Sequence, residues 1–280
     1  MPKNMRAHYP GVIVVSVIAP QMTNPAPLPK FPPMNLITSP DLTPFRRVET
    51  WVFDLDNTLY PAECNLFAQV DQRMGQFISE LLGVDCVEAK RIQKDYYFRY
   101  GTTLAGLMNE HKLTPERFLD FVHDIDLEPV CEAPALGAAL EKLPGRKYIF
   151  TNGSRRHAER VAGKLGVLHH FDDLFDIAAC NYVPKPSVEA YNAFLKAHGV
   201  AGPSAAMFED LPHNLESPHA LGMATVLVRS TYMDHPAQKA MAEWRALPAH
   251  IHHITDDLTG FLEEVLETTA REKRAADPAI

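Results

Sequence analysis

Short apolar runs, each closed by polar or turn-forming residues, recur from Val48 onward and constrain the fold more than any other feature of the chain. The first spans 48–53 and stops at Asp54. Others follow at 147–150, 176–179, 205–208 and 225–228, with a last short one at 250–254. A run of this length, bounded by turn signals, suits a strand buried on both faces of a parallel sheet. Helical stretches separate the later runs, at 135–143, 156–165, 187–198 and 214–221. Gly166, Gly199 and Gly222 follow three of them, where a helix end favours positive φ. Strand and helix in alternation predict an α/β fold, a doubly wound, Rossmann-like parallel sheet with right-handed crossovers.

The alternation breaks after the first run. The long interval between Asp56 and the helix at 135–143 holds no strand pattern. It reads as helices at 68–82, ending at Gly83, then 87–100 and 102–111. Thr114-Pro115-Glu116 opens a fourth, with Thr114 as N-cap and Pro115 in the first turn. The expected division is an α/β core at 47–62 and 134–270, interrupted by a helical insert at 63–133. A flexible leader at 1–46 and a charged, frayed tail at 271–280 flank it. The leader carries ten of the 23 prolines, which resist both helix and sheet, and Met5, Met22 and Met34 are alternative starts. Its apolar stretch at 12–19 faintly resembles a signal peptide, but it is short, bracketed by Pro10 and Pro20, and lacks a clean cleavage pattern.

A net charge of -8 argues against binding a nucleic acid polymer, which needs a basic face. A small anionic substrate stays compatible, because cations in a cleft can outweigh the global charge. No apolar run is long enough to span a membrane. Cys64, Cys86, Cys131 and Cys180 stand at irregular spacings, which predicts free thiols in a reducing cytoplasm rather than a disulfide framework or a zinc site. Monomer and homodimer are left open.

The residues at the ends of the runs carry the chemistry. Asp54 and Asp56 lie two apart at the end of the first run, so both carboxylates face one site. In an open parallel sheet that site lies beyond the carboxyl ends of the strands. Two carboxylates this close require a raised pKa or a cation. Thr151-Asn152-Gly153-Ser154 follows the second run and reads either as an anion site or as an ordinary capped turn. Lys185 is stiffened by Pro184 and Pro186 and can pair with carboxylate and phosphate, or lie solvated. Glu209 and Asp210, with Asn214 four residues on, suit a hard cation such as Mg²⁺, or favour a helix N-terminus. The histidines at 250, 252 and 253 form only a weak His-rich signal without an acidic partner.

Taken in order over about 48–230, DLDNT, TNGS, KP and ED resemble the four motifs of the haloacid dehalogenase superfamily. The insert resembles that superfamily's helical (C1-type) cap. YYFRYGTTLAGL at 96–107 and TNGSRRHAERVAGKLGV at 151–167 are similar to the pyrimidine 5′-nucleotidase branch. The Glu-Asp pair departs from the Asp-Asp of some members, though Glu still supplies an oxygen. The resemblance implies a Mg²⁺-dependent phosphomonoesterase acting on a nucleoside monophosphate. Asp54 would be the nucleophile and Asp56 the acid and base. Thr151, Asn152, Gly153 and Lys185 would hold the phosphate, with Lys185 also offsetting the charge of Asp54. Asp54, the Asp56 carbonyl, Glu209 and Asp210 would hold the metal. Among cap residues, Tyr96, Tyr97, Phe98 and Tyr100 could wall a base, Tyr100 foremost, or pack the helices, and His157 could reach the substrate or serve structurally. A phosphatase for a sugar phosphate or phosphoglycolate, and a non-catalytic binding protein on the same fold, are the alternatives. A dehalogenase fits less well, because it needs no acid two residues after its nucleophile.

Overall fold

The computed structural model describes residues 42–230, 237, 241–242 and 244–276, the last five of these by backbone alone. Its centre is a six-stranded parallel sheet in the order β3-β2-β1-β4-β5-β6. The strands are β1 (Thr50–Phe53), β2 (Arg146–Phe150), β3 (Asp173–Phe175), β4 (Ala205–Glu209), β5 (Ala224–Val228) and β6 (His253–Thr255). Thr50 pairs with Arg146 on one side and with Ala205 on the other, so β1 is central. From β1 the chain adds β2 and β3 outward, then crosses back to add β4, β5 and β6 on the opposite side. The switch point lies between β1 and β4, where such sheets bind ligands beyond their carboxyl ends.

Alternation along the strands builds two cores. Trp51, Phe53, Ile149, Phe208 and Val226 face one side, and Val52, Tyr148, Phe150, Met207 and Leu227 the other. The first side is covered by α5 (Pro134–Lys142), α6 (Arg155–Lys164) and α9 (Leu258–Ala276), the second by α7 (Val188–His198). Phe53 and Phe208 stack at 4.6 Å across β1 and β4, tying the two strands that carry the acids. The expected helix at 214–221 is a 3-10 turn, Pro212–Leu215, running into the short α8 (Glu216–Ala220).

Four helices fill the interval between β1 and α5: α1 (Leu66–Leu82), α2 (Cys86–Tyr100), α3 (Thr103–His111) and α4 (Pro115–Val122). Phe77 of α1 meets Phe118 and Phe121 of α4 edge-on at 5.2 and 5.4 Å. Gly106 lets α3 approach α2 closely, since a Cβ there would lie 2.4 Å from the Tyr96 ring. Tyr96 also meets His111 through its hydroxyl at 2.7 Å. Part of the 96–107 string therefore serves to pack two helices. Thr114 stands at the N-terminus of α4 without a side-chain cap bond, and Pro115 opens the helix.

Three expectations need correction. The strand expected at 176–179 lies earlier, at Asp173–Phe175. Pairing of Tyr148 with Asp173 sets its register, and Asp176 ends it by accepting from the backbone N–H of Arg155 and Ala179. The leader is not free to its end: Leu42 and Phe45 are buried, and Phe45 packs edge-on against Phe261 of α9 at 5.3 Å. The remainder, 1–41, lies outside the described residues. The tail does not fray at Arg271, because α9 continues to Ala276 and Arg271 pairs with Glu267 one turn back. All four cysteines are free, and no helix among the described residues is long and apolar enough to cross a membrane.

Candidate active site

β1 ends at Phe53, but its ladder extends one bond further, from the Asp54 N–H to the Phe208 carbonyl at 2.9 Å. This fixes Asp54 beside the end of β4, which delivers Glu209 and Asp210. The chain then turns sharply, with Asn57 at φ 61° and Leu59 N–H bonded to the Leu55 carbonyl at 3.0 Å. Asn57 reaches back to Asp210 Oδ2 at 3.4 Å, and Thr58 Oγ1 donates to Asp54 Oδ2 at 3.3 Å.

Lys185 closes the site from the third side. Its ammonium donates to Asp54 Oδ1 at 2.7 Å, Glu209 Oε1 at 2.8 Å and the Phe150 carbonyl at 2.9 Å, using all three N–H bonds. Asn152 clamps the Lys185 backbone from both sides: its Oδ1 accepts from the Lys185 N–H at 2.8 Å and its Nδ2 donates to the Lys185 carbonyl at 3.2 Å. Asn152 thereby ties the TNGS turn to the Lys185 backbone. The Gly153 N–H, expected to be free, donates to Thr151 Oγ1 at 2.9 Å.

Charge around this centre is unbalanced. Oxygens of Asp54, Glu209 and Asp210, all buried, lie within 4.8 Å of one another against one ammonium. Burial pushes Asp54 up to about 7, with Glu209 and Asp56 adding to the rise and Lys185 opposing it. Burial and the negative charges of Glu209 and Asp54 hold Asp210 well above the carboxylate range. Burial works against Glu209 as well, yet Lys185 outweighs it and keeps that carboxyl low. Hard oxygen donors with surplus negative charge suit Mg²⁺. Glu209 already accepts from Lys185, Asn214 (2.7 Å) and the Leu211 N–H (2.8 Å), which sets it behind Asp54 and Asp210. Asn214, taken from sequence as a neighbour of the cation, instead supports Glu209.

Asp56 makes its side-chain hydrogen bonds outside this cluster. Its Oδ1 receives the Tyr60 hydroxyl at 2.7 Å and His157 Nε2 at 2.8 Å. Burial would raise the Asp56 carboxyl, but His157 and the Tyr60 bond hold it at about 2. His157, read from sequence as able to reach a substrate or to serve structurally, is fully buried and bonded to Asp56. His123, at the end of α4, stacks on it with nearly parallel planes at 4.4 Å. Arg160 of α6 donates to the His123 and Ile125 carbonyls at 2.8 and 3.1 Å, anchoring the return from the helical insert.

The cap aromatics separate. Tyr100 is bonded to Glu110 and Arg99, along the α2–α3 face. Tyr97 is half-exposed on α2, and burial together with the charges of Asp210 and Glu209 raises its phenol. Elsewhere, His252 is bonded to Thr225 and His253 stacks on Phe261, which accounts for two of the three late histidines.

Residues 48–222 match the model of the haloacid dehalogenase-like hydrolases. The chain belongs to that family. Within these hydrolases it is similar to the L-2-haloacid dehalogenase PA0810, at 18% identity and a TM-score of 0.52 over 78% of this chain and 99% of that one. It is similar also to a HAD phosphatase from Thermococcus onnurineus, at 17% identity and a TM-score of 0.52 over 78% and 98%. These two share the hydrolase fold. A curated relative, Phosphate metabolism protein 8 of Saccharomyces cerevisiae (strain ATCC 204508 / S288c), is 29% identical over 208 residues, which is 67% of this hydrolase and 63% of that protein.

His123 and Tyr60 complete the site of this hydrolase beyond the motif residues. Tyr60 stands four residues after Asp56 in the same loop, a spacing that could have marked it. His123 comes from the helical insert and carries no local signal.

Proposed function

We propose that this hydrolase cleaves phosphomonoesters through an aspartyl-phosphate, with pyrimidine nucleoside 5′-monophosphates preferred. The observation that carries the reading is Asp56. A second carboxylate, held by two donors beside a lysine-paired Asp54, is what phosphoryl transfer uses and dehalogenation does not need. Asp54 attacks phosphorus in line, and the bond to the leaving oxygen breaks. Asp56 is ionised at neutral pH, so the proton it gives the leaving oxygen arrives on the phosphate of the monoanionic substrate. Asp56 then takes a proton from the water that attacks the aspartyl-phosphate, which releases Asp54 and inorganic phosphate. Lys185 and Thr151 stabilise the phosphoryl oxygens. Asp54, Asp210 and the Asp56 carbonyl, with Glu209 behind them, would hold Mg²⁺, whose charge lets a carboxylate approach a phosphate anion.

The helical insert, 63–133, works as a cap that selects the leaving group. Support for the pyrimidine base comes from the 96–107 and 151–167 strings, and Tyr97 offers one half-exposed aromatic face on the helical insert. A single ring stacks there, and a two-ring base must displace cap side chains. The test is phosphate release from UMP, CMP, AMP, GMP and p-nitrophenyl phosphate, with Mg²⁺ and with EDTA. Release should require Mg²⁺ and favour UMP and CMP in kcat/KM. Equal values for the four nucleotides would reject the base preference; full turnover in EDTA would reject the metal; no release from any ester would reject the phosphatase.

A further inference from the structure

Asp56 presents its two oxygens to different surroundings. Oδ1 is enclosed, with the Tyr60 hydroxyl at 2.7 Å and His157 Nε2 at 2.8 Å. Oδ2 receives no hydrogen bond from the described residues, although the side chain keeps 22% of its exposure. The free oxygen is therefore the one open to the site. His157 must carry its proton on Nε2, since the other tautomer would set a bare lone pair against a carboxylate oxygen. Its Nδ1 is buried with no hydrogen-bond partner among the described residues, so none of these competes for the ring on that side.

The ring is held in plane instead. His123 stacks on it at 4.4 Å with 12° between planes, and Ser154 Oγ fixes His123 Nδ1 at 3.0 Å. The backbone of Gly153 packs against both ring edges: a Cβ there would lie 3.4 Å from His157 Cδ2 and 3.6 Å from His123 Nε2. Ser154 also accepts from the His157 N–H at 3.3 Å, capping the helix that bears the ring.

We propose that His157 and Tyr60 are positioning residues for Asp56, committing Oδ1 so that Oδ2 alone exchanges the proton with the leaving oxygen and then with water, and that His123 orients His157 from the end of the helical insert. The inference rests on the phosphatase reading. It says nothing new of Asp54, whose attack needs neither residue. A carboxyl free to rotate would offer either oxygen, and the proton would be misplaced in part of the encounters.

The leaving group separates positioning from general disruption. An alkyl leaving oxygen, as in UMP, needs a proton as its bond to phosphorus breaks; dinitrophenolate does not. The experiment measures kcat for UMP and the pre-steady-state burst of 2,4-dinitrophenolate from its phosphate, in wild type, Tyr60→Phe, His157→Leu and His157→Gln. Tyr60→Phe should lower kcat on UMP about tenfold and His157→Leu up to about a hundredfold, short of losing the acid itself. The dinitrophenolate burst should fall less than about threefold in both, while its later steady-state rate drops, because water activation still needs Asp56. His157→Gln, whose amide N–H can stand where Nε2–H does, should regain most of the loss on UMP. Equal losses on both esters, a wild-type rate on UMP in His157→Leu, or a glutamine no better than leucine would overturn the proposal. Failure of the wild type on both esters would instead remove the phosphatase reading.

Discussion

Replacing Lys185 by Met removes a charge but keeps much of the side-chain volume, and its consequences can be worked from the three bonds the ammonium makes. Glu209 would keep Asn214 and the Leu211 N–H, at 2.7 and 2.8 Å. Among the described residues, Asp54 would keep only Thr58 as a side-chain partner, at 3.3 Å. The Phe150 carbonyl would lose its partner. Breaking a buried ion pair by removing one member costs about 3–5 kcal/mol, because the other charge stays behind. For a chain of this size that is roughly 6–20 °C in Tm. In wild type, Lys185 lowers the Glu209 carboxyl, so that pairing stabilises the fold above the ordinary value of 4.5 and is lost as pH falls through the lowered one. In Lys185→Met that pairing is gone and both carboxyls are raised in the folded state. Their protonation then relieves the cost at low pH, and the penalty returns as pH rises through their folded values. The stability gap between wild type and variant should therefore widen from pH 5.5 to pH 8. Urea unfolding in EDTA, followed by the fluorescence of buried Trp51, measures it. A gap under about 1 kcal/mol at pH 8, or one independent of pH, would refute the reasoning.

Asp54→Asn should abolish turnover and raise Tm at pH 8 in EDTA. The Asp54 carboxyl is pushed up to about 7, so the stability it contributes is complete below 3.8 and is lost as pH rises through about 7, a titration the amide does not have; a lower Tm than wild type at pH 8 would contradict this. Tyr97→Ala should reduce kcat/KM on UMP by about two- to tenfold while sparing p-nitrophenyl phosphate, as loss of a single stacking face predicts. Tyr100→Ala, whose hydroxyl is turned to Glu110, should change base preference far less, and the reverse order in a four-nucleotide comparison would return the base pocket to Tyr100.

Strands β1, β2, β4 and β5 were legible because buried apolar runs stop abruptly at acids, turns or helix caps. β3 was not. In Phe-Asp-Asp-Leu-Phe-Asp-Ile-Ala-Ala the longer apolar stretch comes after Asp176, while the strand is set by pairing with β2 at the sheet edge. The positions of Asp54, Lys185, Glu209 and Asp210 could be read from the rule that parallel sheets gather chemistry at one end. Which bond each motif residue makes could not. Asn152 finds Lys185 33 residues away, and His157 finds Asp56 101 residues away. Such partners depend on helix placement, which local pattern does not encode. The cap string leaves two readings open for a related reason. Aromatic residues that pack helices and aromatic residues that meet a substrate look alike until the faces of α2 are known, and Tyr96 and Tyr97 differ only in which way they turn.

The 3-10 turn Thr43–Arg47 lays Phe45 on Phe261, and Phe261 in turn lies 6.0 Å from Phe208, on the strand that carries Glu209. The first described turn and the last helix thus meet over the strand behind the acids, like the two ends of a strap buckled at the back of the sheet. An expression clone begun at Met34 would keep this buckle, and one begun at Val48 would cut it and bare the rings of Phe261 and Phe208. The shorter protein should lose solubility and heat resistance before it loses catalytic competence, so its activity measured cold would say little about whether the missing residues matter.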